Sequence, residues 1–126
     1  MVKRMQRKDL KILLLQIRDD QKVRDEEHQS FARYSNLNPE QIHVHNVFDK
    51  PNFQPDIIDG FDALYVGGAS EANVLLPNKY IFVEDCLELI RYAADRNVPT
   101  FASCFGFQLA ILALSLIHIS EPTRPS

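Results

Sequence analysis

Cysteine is scarce in this chain. It has two, Cys86 and Cys104, at a spacing that fits no metal site, and each suits a separate role in a reducing compartment, so no disulfide is expected. Positive charge is also short. Fourteen Lys and Arg stand against 17 Asp and Glu, for a formal net charge of -3. The one basic cluster, Lys3, Arg4, Arg7, Lys8 and Lys11, is a short N-terminal run that reads as a solvated entry to the first strand. No basic stripe is left to follow a nucleic-acid backbone, so no nucleic-acid partner is expected. Long apolar runs are missing as well. Nothing approaches the roughly 20 residues of a membrane span, and the N-terminus lacks the apolar segment of a secretory signal. The expected location is cytoplasmic, with no membrane partner.

What remains is the composition of one globular domain: 126 residues, 45% hydrophobic and 25% charged. Lys11 to Ile17 is a continuous apolar run ending in Arg18-Asp19-Asp20, the pattern of a central strand covered on both faces. Asp19 and Asp20 then fall at the carboxyl edge of the sheet, and loop solvation and capping of the next helix are their expected roles. Gln21 to about Ser35 reads as that helix, closed by Asn36-Leu37-Asn38-Pro39 because proline disfavours helical geometry in the residue before it. Ile42 to Phe48 alternates apolar and polar residues, which predicts a strand near the sheet edge with one face exposed. His43 and His45 project together from it, and without a third ligand nearby they read as surface strand residues; no metal is expected.

Asp49 to Gly60 carries Pro51 and Pro55 and reads as a loop with a short helical turn at Pro55 to Asp59, pinned by Phe53. Phe61 to Ser70 is a third strand running into Gly67-Gly68. Glycines at that place let the backbone approach a ligand and aim N–H groups at an anion. Asn78 to about Arg96 shows the clearest helical period, with Val83, Leu87, Ile90 and Ala94 on the apolar stripe and Cys86 packed beside it. Asn97-Val98-Pro99 ends that helix and launches a fourth, buried strand. Strands alternating with crossovers predict an α/β fold: a doubly wound, mostly parallel sheet with helices on both faces.

The fourth strand runs into Ala102-Ser103-Cys104-Phe105-Gly106-Phe107-Gln108. A nucleophile at a strand-to-helix turn needs small residues two positions to either side, and Ala102 and Gly106 supply them. A helix from Gly106 to about Ala113 would aim free N–H groups at the sulfur and favour the thiolate, which makes Cys104 a candidate nucleophile. The alternative is a small buried hydrophobe.

This segment resembles the G-x-C-x-G-x-Q elbow of class I glutamine amidotransferases, with Cys104, Gly106 and Gln108 matching and Ala102 in place of a glycine. The resemblance implies the flavodoxin-like form of the doubly wound fold and hydrolysis of glutamine to glutamate and ammonia through a cysteine thioester, the ammonia going to an acceptor. It also implies an oxyanion hole from the Gly68 and Phe105 N–H groups, with Gly67, Gly106 and Gln108 around the substrate. Glutamine is the implied ligand and a synthetase or acceptor domain the implied partner; no cofactor is implied. Two other readings share the architecture. One is a hydrolase of the DJ-1/PfpI type, whose elbow usually has histidine where Phe105 stands; the other is a non-catalytic α/β module that binds a ligand or partner at the Gly67-Gly68 edge.

The family's general base is a histidine in an H-x-E pattern well downstream of the elbow, and the 126 residues contain no such pattern. His118 and Glu121 have the wrong spacing, and they fall in Leu114 to Arg124, which looks like the in-frame translation of a sequencing-library adapter. The expected division is therefore residues 1–113 as the N-terminal part of an amidotransferase-like domain, inactive without the downstream pair, and 114–126 as a non-native tail. Deleting Ser115 to Ser126 is accordingly expected to change stability by no more than about 0.5 kcal/mol. A thermal melt of the shortened chain against the full one checks this.

Overall fold

The computed structural model describes residues 7–68 and 82–103. Four strands, β1 (Ile12–Gln16), β2 (Ile42–Asn46), β3 (Ala63–Val66) and β4 (Thr100–Ala102), form one sheet in the order β2-β1-β3-β4. All three pairings are parallel, with Ile12 opposite both Ile42 and Ala63, and Leu64 opposite Thr100. Two helices, α1 (Gln21–Ser35) and α2 (Phe82–Asp95), complete the α/β architecture. None of the described helices is long and apolar enough to cross a membrane.

β1 is buried along its whole length because it is paired on both edges and covered on both faces. Ile12 and Leu14 join Ile42, Ala63 and Ala32 of α1 in one cluster; Leu13 and Leu15 join Leu64, Val66 and the apolar stripe of α2 in the other. α1 begins where Asp20 accepts a hydrogen bond from the Lys22 N–H at 2.9 Å, and it ends on Asn36 in the left-handed region at φ 57°. Asp20 is thus the expected cap, and Asn tolerates the backbone conformation that closes the last turn. Asp19 is exposed.

The loop after β2 is held as its residues suggest: Phe53 is buried, and Pro55–Ile58 forms a 3-10 turn that carries the buried Ile58. α2 buries Phe82, Val83, Cys86, Leu87, Leu89, Ile90 and Ala93. The stripe is broader than its period suggests, and Ala93 rather than Ala94 faces the sheet; residues 78–81 of the expected helix lie outside the described residues. Two strand expectations also change. Val44 is exposed whereas Asn46 at the end of the same face is buried, and Phe101 of β4 is 57% exposed. Both strands are edges of the described sheet, where an apolar side chain has a neighbour on one flank only. Burial at the centre sets the energetic scale: Leu64→Ala removes a fully buried side chain and is expected to cost about 2–5 kcal/mol, read from the denaturant midpoint.

Candidate functional site at the carboxyl edge of the sheet

Parallel pairing puts the ends of all four strands on one edge, where open α/β sheets leave room for a ligand. The chain past β1 is steered there by a buried polar network. Asn46 Nδ2 donates to Gln16 Oε1 at 2.9 Å and to the Arg18 carbonyl at 2.8 Å, and Gln16 Nε2 donates to the Arg24 carbonyl at 3.0 Å. Arg24 Nε also donates to the Arg18 carbonyl at 2.8 Å. Two side chains hidden from water thus satisfy each other and lock the backbone at Arg18, which turns the Arg18 guanidinium toward the end of β3.

There it meets Glu27 of α1. Arg18 Nε donates to Glu27 Oε2 at 3.1 Å, and the same oxygen accepts the Gly68 N–H at 3.1 Å. The Glu27 side chain is only 9% exposed. Its other oxygen, Oε1, is buried with no hydrogen-bond partner, an arrangement that costs about 1–3 kcal/mol. The glycines admit this carboxylate. A Cβ on Gly67 would stand 2.5 Å from Glu27 Oε1, and one on Gly68 would stand 2.9 Å from an Arg18 guanidinium nitrogen and 3.2 Å from Ser103 Oγ. Gly67 and Gly68 thus leave room for these side-chain ends, and a Cβ at either position would oblige the Glu27 carboxylate or the Arg18 guanidinium to shift.

β4 delivers its end beside them. The Ser103 N–H donates to the Val66 carbonyl at 3.0 Å, and the Gly67 N–H donates to the Leu15 carbonyl at 3.0 Å. Arg18, Glu27, Ser30, Phe31, Tyr34 and Ser103 line a cleft of about 460 Å³ that opens at this point. Phe31 packs on Tyr65 with ring centroids 5.1 Å apart, and Tyr65 packs edge-on against Phe101 at 5.7 Å. An aromatic row thus runs from α1 to β4, and its Phe31 end lines the cleft.

Of the residues assigned from sequence, Gly67 and Gly68 lie in this site. Cys104, Phe105, Gly106 and Gln108 lie outside the described residues, directly after Ser103 in the chain. The described histidines are engaged elsewhere. His28 Nε2 donates to the Pro39 and Ile42 carbonyls at 2.9 and 3.0 Å, and His45 Nε2 donates to the Lys50 carbonyl at 3.0 Å. Burial against Phe53 holds the His45 pKa below its ordinary value, outweighing the raising effect of the Lys50 carbonyl. His43 stacks edge-on to Phe61. Among the described residues no cluster of three or more His, Cys, Asp or Glu could hold a metal. Cys86 is a free thiol without exposure, and burial among apolar side chains pushes its pKa far above the usual thiol range.

No family model and no curated protein matches the chain. The functional reading therefore rests on the residues themselves. Two were not singled out from the sequence, Arg18 and Glu27. Glu27 is the last of the acidic run Asp25-Glu26-Glu27, and only its angular position on α1 separates it from its solvated neighbours. The contact makes a sharp expectation: Gly67→Ala drives its methyl into the Glu27 carboxylate and should release it from the Gly68 N–H, at a stability cost of about 1–3 kcal/mol. Faster amide exchange at Gly68, in a chain that still folds, is the reading that checks it.

Proposed function

We propose that the chain is an amidotransferase-like domain whose chemistry is thiol attack on the carboxamide of glutamine. What supports the reading is a juxtaposition: the Gly67-Gly68 turn sits against Ser103, and Cys104 is the next residue in the sequence. Parallel pairing of β3 and β4 brings the ends of these two strands together, and in open parallel sheets that edge is where ligands are bound.

In this mechanism the Cys104 thiolate attacks the carboxamide carbon and the C=O pair moves onto oxygen. The Gly68 and Phe105 N–H groups receive that oxyanion, a contribution of about 2.7–4 kcal/mol for each well-placed donor. The C–N bond then breaks, ammonia leaves with the proton supplied by a general acid, and a γ-glutamyl thioester remains for water to cleave. Gln108, Gly67 and Gly106 hold the substrate. The acid and base is the histidine that the resemblance associates with an H-x-E pattern; because the 126 residues contain none, this chain should bind glutamine without forming or resolving the thioester at a useful rate. Proton transfer by a positioned group is worth roughly a hundredfold to ten-thousandfold.

The two thiols separate this reading from a binding module. Iodoacetamide at neutral pH should modify Cys104 and leave the buried Cys86 intact, and glutamine should slow the Cys104 reaction whereas glutamate amide analogues lacking the α-amino group should do so less. Peptide mapping by mass spectrometry reads both. Equal rates at the two cysteines in the folded chain, or no protection by glutamine, would remove the amidotransferase reading and leave a ligand-binding edge.

A further inference from the structure

The Gly68 N–H and the Arg18 guanidinium converge on a single oxygen atom, each 3.1 Å from Glu27 Oε2. A backbone N–H and a guanidinium aimed at one point are the donors of an oxyanion site, and charge-assisted bonds of this kind are the strong ones. Here the anion is the protein's own. We propose that Gly68 and Arg18 form a binding site for a small carboxylate, plugged internally by Glu27, so that an external carboxylate enters only by displacing that side chain.

Three observations support the plug. Glu27 fills the site incompletely, since Oε2 takes both donors while Oε1 is buried without a partner. Nothing covalent or helical holds the carboxylate there, because it reaches the turn on the rotatable stem of an α1 side chain. Glu27 itself lines the cleft of about 460 Å³ beside the turn, which gives the displaced carboxylate room and water. Gly67 leaves the space in which Oε1 lies, since a Cβ there would stand 2.5 Å from it.

A ligand that must open a closed site binds more weakly by the fraction of molecules already open. Removing the plug should restore the intrinsic affinity. The test uses the full chain labelled with ¹⁵N and carbonyl-¹³C glycine. Of its four glycines only Gly67 and Gly68 are adjacent, so the Gly68 amide alone couples to a labelled carbonyl and is identified without further assignment. Acetate is titrated at constant ionic strength against chloride. In Glu27→Ala the Gly68 amide should show a saturable shift, at least about tenfold tighter than in the unaltered chain. Adding Arg18→Met to that variant should weaken it again. Absence of a saturable shift in folded Glu27→Ala, equal titration of the two chains, or reproduction of the shift by chloride would overturn the proposal. Should Glu27→Ala lose its dispersed glycine signals, Glu27→Ser removes the plug with a small polar side chain, and no saturable acetate response in that folded variant equally overturns the proposal. The proposed oxyanion hole shares the Gly68 N–H with this site, but the readings separate: a lost acetate response with Cys104 still protected by glutamine overturns the carboxylate site alone, and lost glutamine protection with the acetate response retained overturns the glutamine chemistry alone.

Discussion

A strand that is hydrogen-bonded on both edges and covered on both faces has no solvent in which to relax, and β1 occupies that position. Its side chains alternate between the α1 cluster and the α2 cluster, so a slip of one residue would exchange the two sets. β2 and β3 take their register from it on either side, and β4 takes its register from β3. The carboxyl edge of the sheet is the end of that ladder. Where β1 stops, at Gln16, the neighbouring strands must stop nearby, and their loops meet.

At that edge the core changes from apolar to polar without opening to water. Gln16 and Asn46 are buried amides in registered positions of adjacent strands, and each finds its partners in the other and in the backbone, Gln16 at Arg24 in the first turn of α1 and Asn46 at Arg18 just after β1. Satisfied pairs of this kind stabilise little on balance but penalise every alternative in which one member is unpaired. Their effect is on geometry. They hold the Arg18 carbonyl, and the held backbone presents the guanidinium to Glu27 and the glycine turn.

The Arg18–Glu27–Gly68 contact links three segments that do not otherwise need one another: the turn after β1, the middle of α1 and the turn after β3. The two glycines serve it through space rather than backbone freedom, since neither lies in the left-handed region and a Cβ at either would displace the end of the side chain opposite. The two donors are not left open at that edge: both are turned on one oxygen of the protein's own Glu27.

Much of this architecture is legible in the residues before any coordinates. The apolar run from Ile12, the capping Asp20, the helix from Gln21 to Ser35, the turn at Pro55 and the strand before Gly67 are local patterns, and local sterics and capping bonds decide them within a few residues. The alternation of strands and crossovers suffices for a parallel sheet. The stripe of α2 was legible in period but not in width, because a period gives a direction and not the size of the surface it meets. Val44 and Phe101 are apolar in sequence and exposed in the fold, since exposure at a sheet edge depends on the neighbour that stands there. Glu27 is the furthest case. Asp25, Glu26 and Glu27 are interchangeable as charges on a polar helix; which of them turns inward was decided by the crossing of α1 over the strand ends, and that crossing is set by packing against Ile12, Leu14 and Ile42, residues far from Glu27 in sequence.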